Sequence, residues 1–267
     1  MIRPKRPRLI VWFAAGAYAA MILVNVLADI IPINGITTGA VSDSYRNLFA
    51  PTGLTFSIWG VIYILLGVHV VRRVLAVSKT TDGEDPALLR IDFLFAVSSI
   101  ANVVWIFAWH DRVIWLSLLL MLAILACLIL ISFPLRRTDA LTKAAFGVYF
   151  GWITVATIAN ATTWLVTLGL PVDTVGATLQ TVAVLLVGLA VGGAVLLIRK
   201  NLGYGLVIAW AYLGIFLKHI DPAQFDRGFI AVANTALFGW ILMLALSAFV
   251  GVRRFMARRT RPTKPAV

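Results

Sequence analysis

Residues 202–217, LGYGLVIAWAYLGIFL, decide the fold of this chain. They carry no charge, yet they fall short of the roughly 20 apolar residues that take an α-helix across a bilayer. A run this short reads either as an upright span or as a re-entrant segment. The charges around it choose between the two. Seven longer apolar runs lie at Leu9–Ile31, Leu54–Val71, Ile91–Trp109, Val113–Pro134, Ala144–Leu170, Gly176–Ile198 and Gly228–Val252. With 202–217 counted as a span and the N-terminus inside, the inner segments hold 19 of the 23 basic residues. Only Arg46, Arg112, Lys218 and Arg227 fall outside. Cytoplasmic loops are enriched in Lys and Arg. Dropping 202–217 would carry the six basic residues of the C-terminal tail to the other side. The expected fold is therefore all-α: a polytopic membrane bundle of eight transmembrane helices with the N and C termini cytoplasmic.

Composition excludes the main alternatives. The chain is 61% hydrophobic and 13% charged, about half the charged share of a soluble domain. A secretory signal has one short apolar stretch before a soluble body, whereas here the apolar runs continue to residue 252. The net charge of +12 does not point to nucleic acid, because the basic residues fall between apolar runs. The single cysteine, Cys127, sits inside an apolar run and reads as packing. The longest extramembrane stretches are Pro32–Gly53, outside, and Arg72–Arg90, inside; the latter contains the turn-rich TTDGEDP of residues 80–86. The tail at 258–267 is basic, contains proline and reads as disordered, with the charge to touch anionic lipid.

Polar groups within spans mark candidate sites. The acidic residues Asp29, Asp92, Asp111, Asp173, Asp221 and Asp226 all fall near span ends, so no carboxylate relay is evident. His69, His110 and His219 are scattered and read as interfacial rather than as metal ligands, although His110 and His219 share a side and could pair. The aromatic and amide residues are more informative. Trp59 and Tyr63 share one face of the second span; Asn102, Trp105 and Trp109 share one face of the third. Tyr149, Trp152, Ala156 and Asn160 run down one face of the fifth. Asn102 and Asn160 lie roughly 10–12 Å deep at 1.5 Å per residue. Their amides should meet protein or a cavity rather than lipid, and each could simply tie two helices together at about 0.5–2 kcal/mol. Trp12, Trp105, Trp109, Trp115 and Trp164 fit an interfacial aromatic belt. Gly147-x-x-x-Gly151 and Gly188-x-x-x-Gly192 have the spacing of close helix contacts, with a homodimer as one use.

Three patches resemble the translocator protein or tryptophan-rich sensory protein (TspO/MBR) family. They are Pro51-Thr-Gly-Leu-Thr-Phe-Ser-Ile-Trp59-Gly-Val-Ile-Tyr63-Ile-Leu-Leu-Gly67, Asn102-Val-Val-Trp105, and Tyr149-Phe-Gly-Trp152-Ile-Thr-Val-Ala156-Thr157-Ile-Ala-Asn160. They fall in family order on spans two, three and five, and the likeness covers roughly residues 9–168. The family's fifth-helix proline is Val148 here, its first-loop tryptophan is Phe49, and its double proline is the single Pro51. The resemblance implies a five-helix module at residues 1–170, with residues 171–267 forming a three-helix extension that ends in the basic tail. It implies a pocket for porphyrins or other flat hydrophobic ligands, lined by Trp59 and Trp152, with Tyr63, Asn102, Ala156 and Asn160 in or beside it. Trp105 and Tyr149 complete the candidate set through the motifs they belong to.

The expected function is a membrane ligand-binding receptor or sensor with an outer-half aromatic pocket for a porphyrin or haem-like tetrapyrrole. The alternative is a secondary transporter of a small hydrophobic molecule, suggested by the short seventh span and Gly203-Tyr-Gly205. No nucleophile–base pair is visible, so any catalysis would be the light-dependent porphyrin breakdown that the resemblance implies. The expected partners are the bilayer and the ligand, with no nucleic acid, no resident metal and a homodimer as a candidate assembly. The expected location is the cytoplasmic (inner) membrane of a prokaryote.

Overall fold

The computed structural model describes residues 6–79 and 85–259. Residues 80–84 of the turn-rich loop, and the tail beyond residue 259, lie outside the described residues. The helices are α1 (Arg6–Ile30), α2 (Thr38–Asp43), α3 (Ile58–Lys79), α4 (Pro86–His110), α5 (Ile114–Ser132), α6 (Ala140–Thr167), α7 (Val175–Arg199), α8 (Leu202–Ile220) and α9 (Ile230–Arg259). All but the short α2 are long and apolar enough to cross a membrane, which gives the eight spans expected. No strand occurs among the described residues.

Local chemistry sets several of the helix starts. Asp139 caps α6 by accepting from the Leu141 and Thr142 amides. Asp85 does the same for α4, where Pro86 occupies the first turn. Thr174 caps α7 and Asn201 caps α8. Between α7 and α8 only Lys200 and Asn201 intervene, and Lys200 takes a left-handed φ of 53° to reverse the chain.

Helices α1, α3, α6, α5 and α4 pack in a closed ring, each on the next and α4 back on α1. The last three helices join this ring through α8, which packs on α6; α9 packs on α8, and α7 on α9 and α8. The run that decided the sequence reading is thus a continuous 19-residue helix, about 28 Å long. Its window is 61% buried, against 28% for the α7 and α9 windows.

Glycines make this seam possible. A Cβ at Gly147 would overlap the Asn201 side chain, and one at Gly151 would lie 2.8 Å from the Tyr204 carbonyl oxygen. On α7, Gly188 and Gly192 face Tyr212 and Ile208 of α8. Both glycine patterns are therefore covered by α8 of the same chain. Gly203 packs against α6, and Gly205 against Leu196 of α7 and Ser247 of α9. The Gly-Tyr-Gly that hinted at a broken helix is a crossing point.

The connections alternate between two ends. At one end, here the lid end, Arg46 pairs with Asp173 at 2.8 Å, Lys218 with Asp43 at 2.9 Å, and Arg112 lies over the Tyr45 ring. At the opposite end Arg72 pairs with Asp139 at 2.9 Å, and the Arg136 guanidinium donates to the Ile198 carbonyl at 2.6 Å.

Asp92 lies near the start of its span, as expected, and both it and Arg73 are buried, with Arg73 Nε donating to Asp92 Oδ2 at 2.9 Å. His69 Nε2 lies 3.4 Å from the other carboxylate oxygen. Helix α3 continues past its apolar run to Lys79, which keeps Arg73 on the helix and brings it to Asp92 of α4. The three histidines are likewise buried, and His110 and His219 stand at the ends of α4 and α8 as expected. His110 sits 3.1 Å from Thr38 Oγ1, while His219 sits 2.8 Å from the Ile215 carbonyl and against Phe225, so the two do not pair.

Candidate functional site

The predicted aromatic residues converge inside the five-helix ring. Trp59 of α3 is the hub: its ring centroid lies 5.5 Å from Tyr63, 6.4 Å from Trp105, 6.1 Å from Tyr149 and 6.3 Å from Trp152. Spacings of three and four residues, Trp59 to Tyr63 on α3 and Tyr149 to Trp152 on α6, place these side chains inward, with Trp105 meeting them from α4. Trp105 stacks on Trp109 at 5.8 Å, and Phe56 meets Trp152 edge-on at 5.4 Å. Trp105 and Trp109, read as belt residues, are buried and belong to this cluster. Trp12, Trp115 and Trp164 remain exposed on the bundle, as a belt requires.

The asparagines have different roles. Asn160 donates to the Ala156 carbonyl at 3.0 Å and accepts from the Ser117 hydroxyl, so it ties α6 to α5. Asn102 Oδ1 accepts from Asn25 Nδ2 of α1 at 2.7 Å, but its own Nδ2 has no partner. The indole nitrogens of Trp105 and Trp152 are also buried without a partner. With the Tyr149 hydroxyl, four polar groups of this apolar cluster lack a partner among the described residues, and they stand out because buried polar groups are nearly always satisfied.

Two spaces adjoin the cluster. Trp59, Trp105, Trp152, Ala156 and Asn160 line a void of about 20 Å³, room for about one water. A second cleft of about 310 Å³ lies between α1 and α3, beside Asn25, Asp29, Trp59 and Tyr63. That is at the lower bound of typical ligand pockets. Trp59 and Phe56 line both spaces and form the partition between them. Asn102 and Tyr149 are fully buried behind the cluster. Of the predicted residues, Trp59, Tyr63, Trp105, Trp152, Ala156 and Asn160 thus face a cavity.

A lid closes this end. Asn47 is buried, its amide donating to Thr162 and Thr163 hydroxyls of α6 at 2.8 and 3.1 Å, while its oxygen accepts from the Phe49 amide at 2.9 Å. From the other side α8 holds the turn at residues 53–57: the Trp210 indole donates to the Thr55 carbonyl at 3.0 Å, and the Thr52 amide to the Gly214 carbonyl at 3.2 Å. Phe49, which stands where the resemblance expects tryptophan, is buried under the lid. The sequence reading missed Asn25, Asp29 and Phe56. Asn25 carried a signal, being an amide in the middle of an apolar run.

The model of one protein family, described as TSPO-like protein, matches residues 11–249. The chain belongs to the TSPO-like protein family. The match runs through all eight spans, so α7, α8 and α9 fall within it as well as the five-helix ring. Family membership and the eight apolar helices make this an integral membrane protein, and membership supports a sensory or ligand-binding role in general. No curated protein and no solved structure matches the chain.

Proposed function

We propose that the protein is a membrane ligand-binding sensor whose site is the aromatic chamber under the lid, taking a flat hydrophobic ligand of the porphyrin class. One observation carries the reading. The unpaired donors of Asn102, Trp105 and Trp152 sit within an aromatic cluster centred on Trp59, and that cluster borders an open cleft. A planar ligand gains area and stacking against indole faces, and the unpaired N–H groups of Trp105 and Trp152, which line the inner void, would donate to its ring system.

The geometry also constrains entry. The inner void is too small for a tetrapyrrole, so Phe56 or Trp59 must swing aside and join it to the cleft. The cleft wall holds Asp29 and no basic residue, so the ligand's carboxylates would point out of the cleft. In this proposal the lid end faces away from the cytoplasm, as the distribution of basic residues suggests. Self-association would use a face other than the two glycine patterns, which α8 occupies.

The test is quenching of tryptophan fluorescence by protoporphyrin IX in detergent. Saturable quenching is expected, with affinity at least tenfold weaker for Trp59→Phe and for Trp152→Phe. Unchanged affinity in both variants would remove the chamber as the site.

A further inference from the structure

At the end of the bundle opposite the lid, segments from five helices meet around a small pocket. It has room for about 40 Å³. Five cations line it: Arg136 after α5, Lys143 on α6, Arg199 and Lys200 at the end of α7, and Arg254 on α9. None of its lining residues is acidic. Of the described carboxylates near this end, Asp92 pairs with Arg73, Asp139 pairs with Arg72 and Asp85 caps α4. Two of the five cations bond only to carbonyl oxygens, Arg136 to Ile198 at 2.6 Å and Arg254 to Lys200 at 2.9 Å. Arg199 lies over the Phe133 ring at 4.1 Å. The start of α8, capped by Asn201, opens on the same pocket and adds a helix N-terminal partial charge.

Five like charges drawn together without a counter-charge repel one another. An anion held among them would relieve that repulsion, and no carboxylate lines the pocket among the described residues. We propose that this pocket binds the phosphate of an anionic membrane phospholipid. The chemistry is oxyanion recognition by guanidinium and ammonium groups, which bond phosphate oxygens strongly. A lipid is favoured over soluble phosphate by position. The pocket lies at the ends of candidate spans, among the last residues of α5 and α7 and the first of α8, where a bilayer would present its phosphates. Phe133 and Ile198 beside it are exposed apolar side chains that acyl chains would cover. Basic pockets between helix ends are a recurrent headgroup site. The site is separate from the aromatic chamber and does not depend on its function.

The test uses the full chain in detergent, with bound lipid counted by native mass spectrometry and melting temperature read in parallel. Cardiolipin or phosphatidylglycerol is expected to remain bound and to raise the melting temperature. Phosphatidylcholine, and inorganic phosphate at matched ionic strength, are not. Each cation near a lipid surface strengthens binding about fivefold, so Lys143→Gln with Arg254→Gln should weaken it roughly 25-fold. The charge-preserving pair Lys143→Arg with Arg254→Lys should restore it. Lys79→Gln with Arg90→Gln removes the same charge from exposed positions elsewhere and should leave retention unchanged. Equal loss in that control pair would reduce the effect to net charge and overturn the proposal. Equal stabilisation by inorganic phosphate would assign the pocket to a soluble anion and overturn the lipid assignment. A lipid effect that survives Lys143→Gln/Arg254→Gln would place the anion elsewhere.

Discussion

Breaking the ion pair between Asp43 and Lys218 from its two sides should give unequal results. The Lys218 ammonium lies 2.9 Å from Asp43 Oδ1, and the two side chains are 3% and 31% exposed respectively. At that separation the attraction is about 6 kcal/mol for an effective dielectric of about 20, before desolvation is subtracted. Asp43→Asn leaves a nearly buried ammonium without its anion. Removing one partner of a buried pair in this way costs about 3–5 kcal/mol. Lys218→Met removes the buried charge itself and leaves a carboxylate that water still reaches, so about 1–2 kcal/mol is expected, the scale of one hydrogen bond to a charged group. The double variant should be more stable than Asp43→Asn alone, because the stranded charge is gone. For a chain of this size 1 kcal/mol moves the melting temperature by about 2–4 °C. Asp43→Asn should therefore lower it on the order of 10 °C, and Lys218→Met by only a few degrees. Intrinsic tryptophan fluorescence in one detergent at one scan rate reads this, because unfolding of such a chain is a rate process. If Lys218→Met is as damaging as Asp43→Asn, or the double variant is no better than Asp43→Asn, the burial asymmetry does not govern the pair.

Other perturbations have equally definite outcomes. Gly151→Ala should force α6 and α8 apart, because the new methyl would sit 2.8 Å from a backbone carbonyl; a loss of about 1–3 kcal/mol is expected by thermal melting, while Gly16→Ala, with nothing within 4 Å, should be neutral or stabilising by up to about 1 kcal/mol. Phe56→Ala removes part of the partition between the void and the cleft, so protoporphyrin should associate faster in stopped-flow quenching; an unchanged rate would mean that entry does not pass Phe56. At Asp139 burial raises the carboxyl pKa, but hydrogen bonds from Thr142 and the Arg72 guanidinium more than offset it and hold the group below the usual carboxylate range. A depressed carboxyl stabilises the fold above its unfolded pKa, so the melting-temperature gap between the native chain and Asp139→Asn should be full at pH 7 and narrow as the pH falls below about 4.

How far the sequence could be read follows from what each signal measures. Hydropathy and charge located every span, including 202–217, because both report the solvent around a segment. Spacing found Trp59, Tyr63 and Trp152, because residues four apart must share a helix face. It could not tell whether Trp105 and Trp109 faced lipid or protein, since a belt and a core use the same residues at the same depth. The Arg73–Asp92–His69 group was missed because its members lie on two helices up to 23 residues apart, and only their packing shows that they meet. The Asn25–Asn102 bond joins residues 77 apart in sequence, and nothing local in either helix announces the other. The pocket of five cations was hidden differently: each member satisfied the loop-charge rule singly, and only the packing of α5, α6, α7 and α9 brings them to one point.

The place of α8 follows from which groups hold the lid. The five-helix ring fastens it through α6, where Asn47 bonds to the Thr162 and Thr163 hydroxyls, and through α4, where the Trp109 indole donates to the Thr38 carbonyl and Asn34 donates to the His110 carbonyl, both at 3.1 Å. Helix α8 fastens it at three, through Lys218 to Asp43, Trp210 to the Thr55 carbonyl, and the Gly214 carbonyl to the Thr52 amide. A Cβ at Gly214 would overlap the Thr55 side chain, so the contact also requires that α8 approach the turn without a side chain between them. The turn it holds carries Phe56, which lines both cavities. Movement of α8 therefore acts on the partition through one short segment, without crossing the ring. Helices α7 and α9 pack α8 against α6, so they bear on the lid only through α8. Gly214→Ala tests it: a displaced turn should change the protoporphyrin association rate together with Phe56→Ala, whereas Gly16→Ala, far from the turn, should change neither.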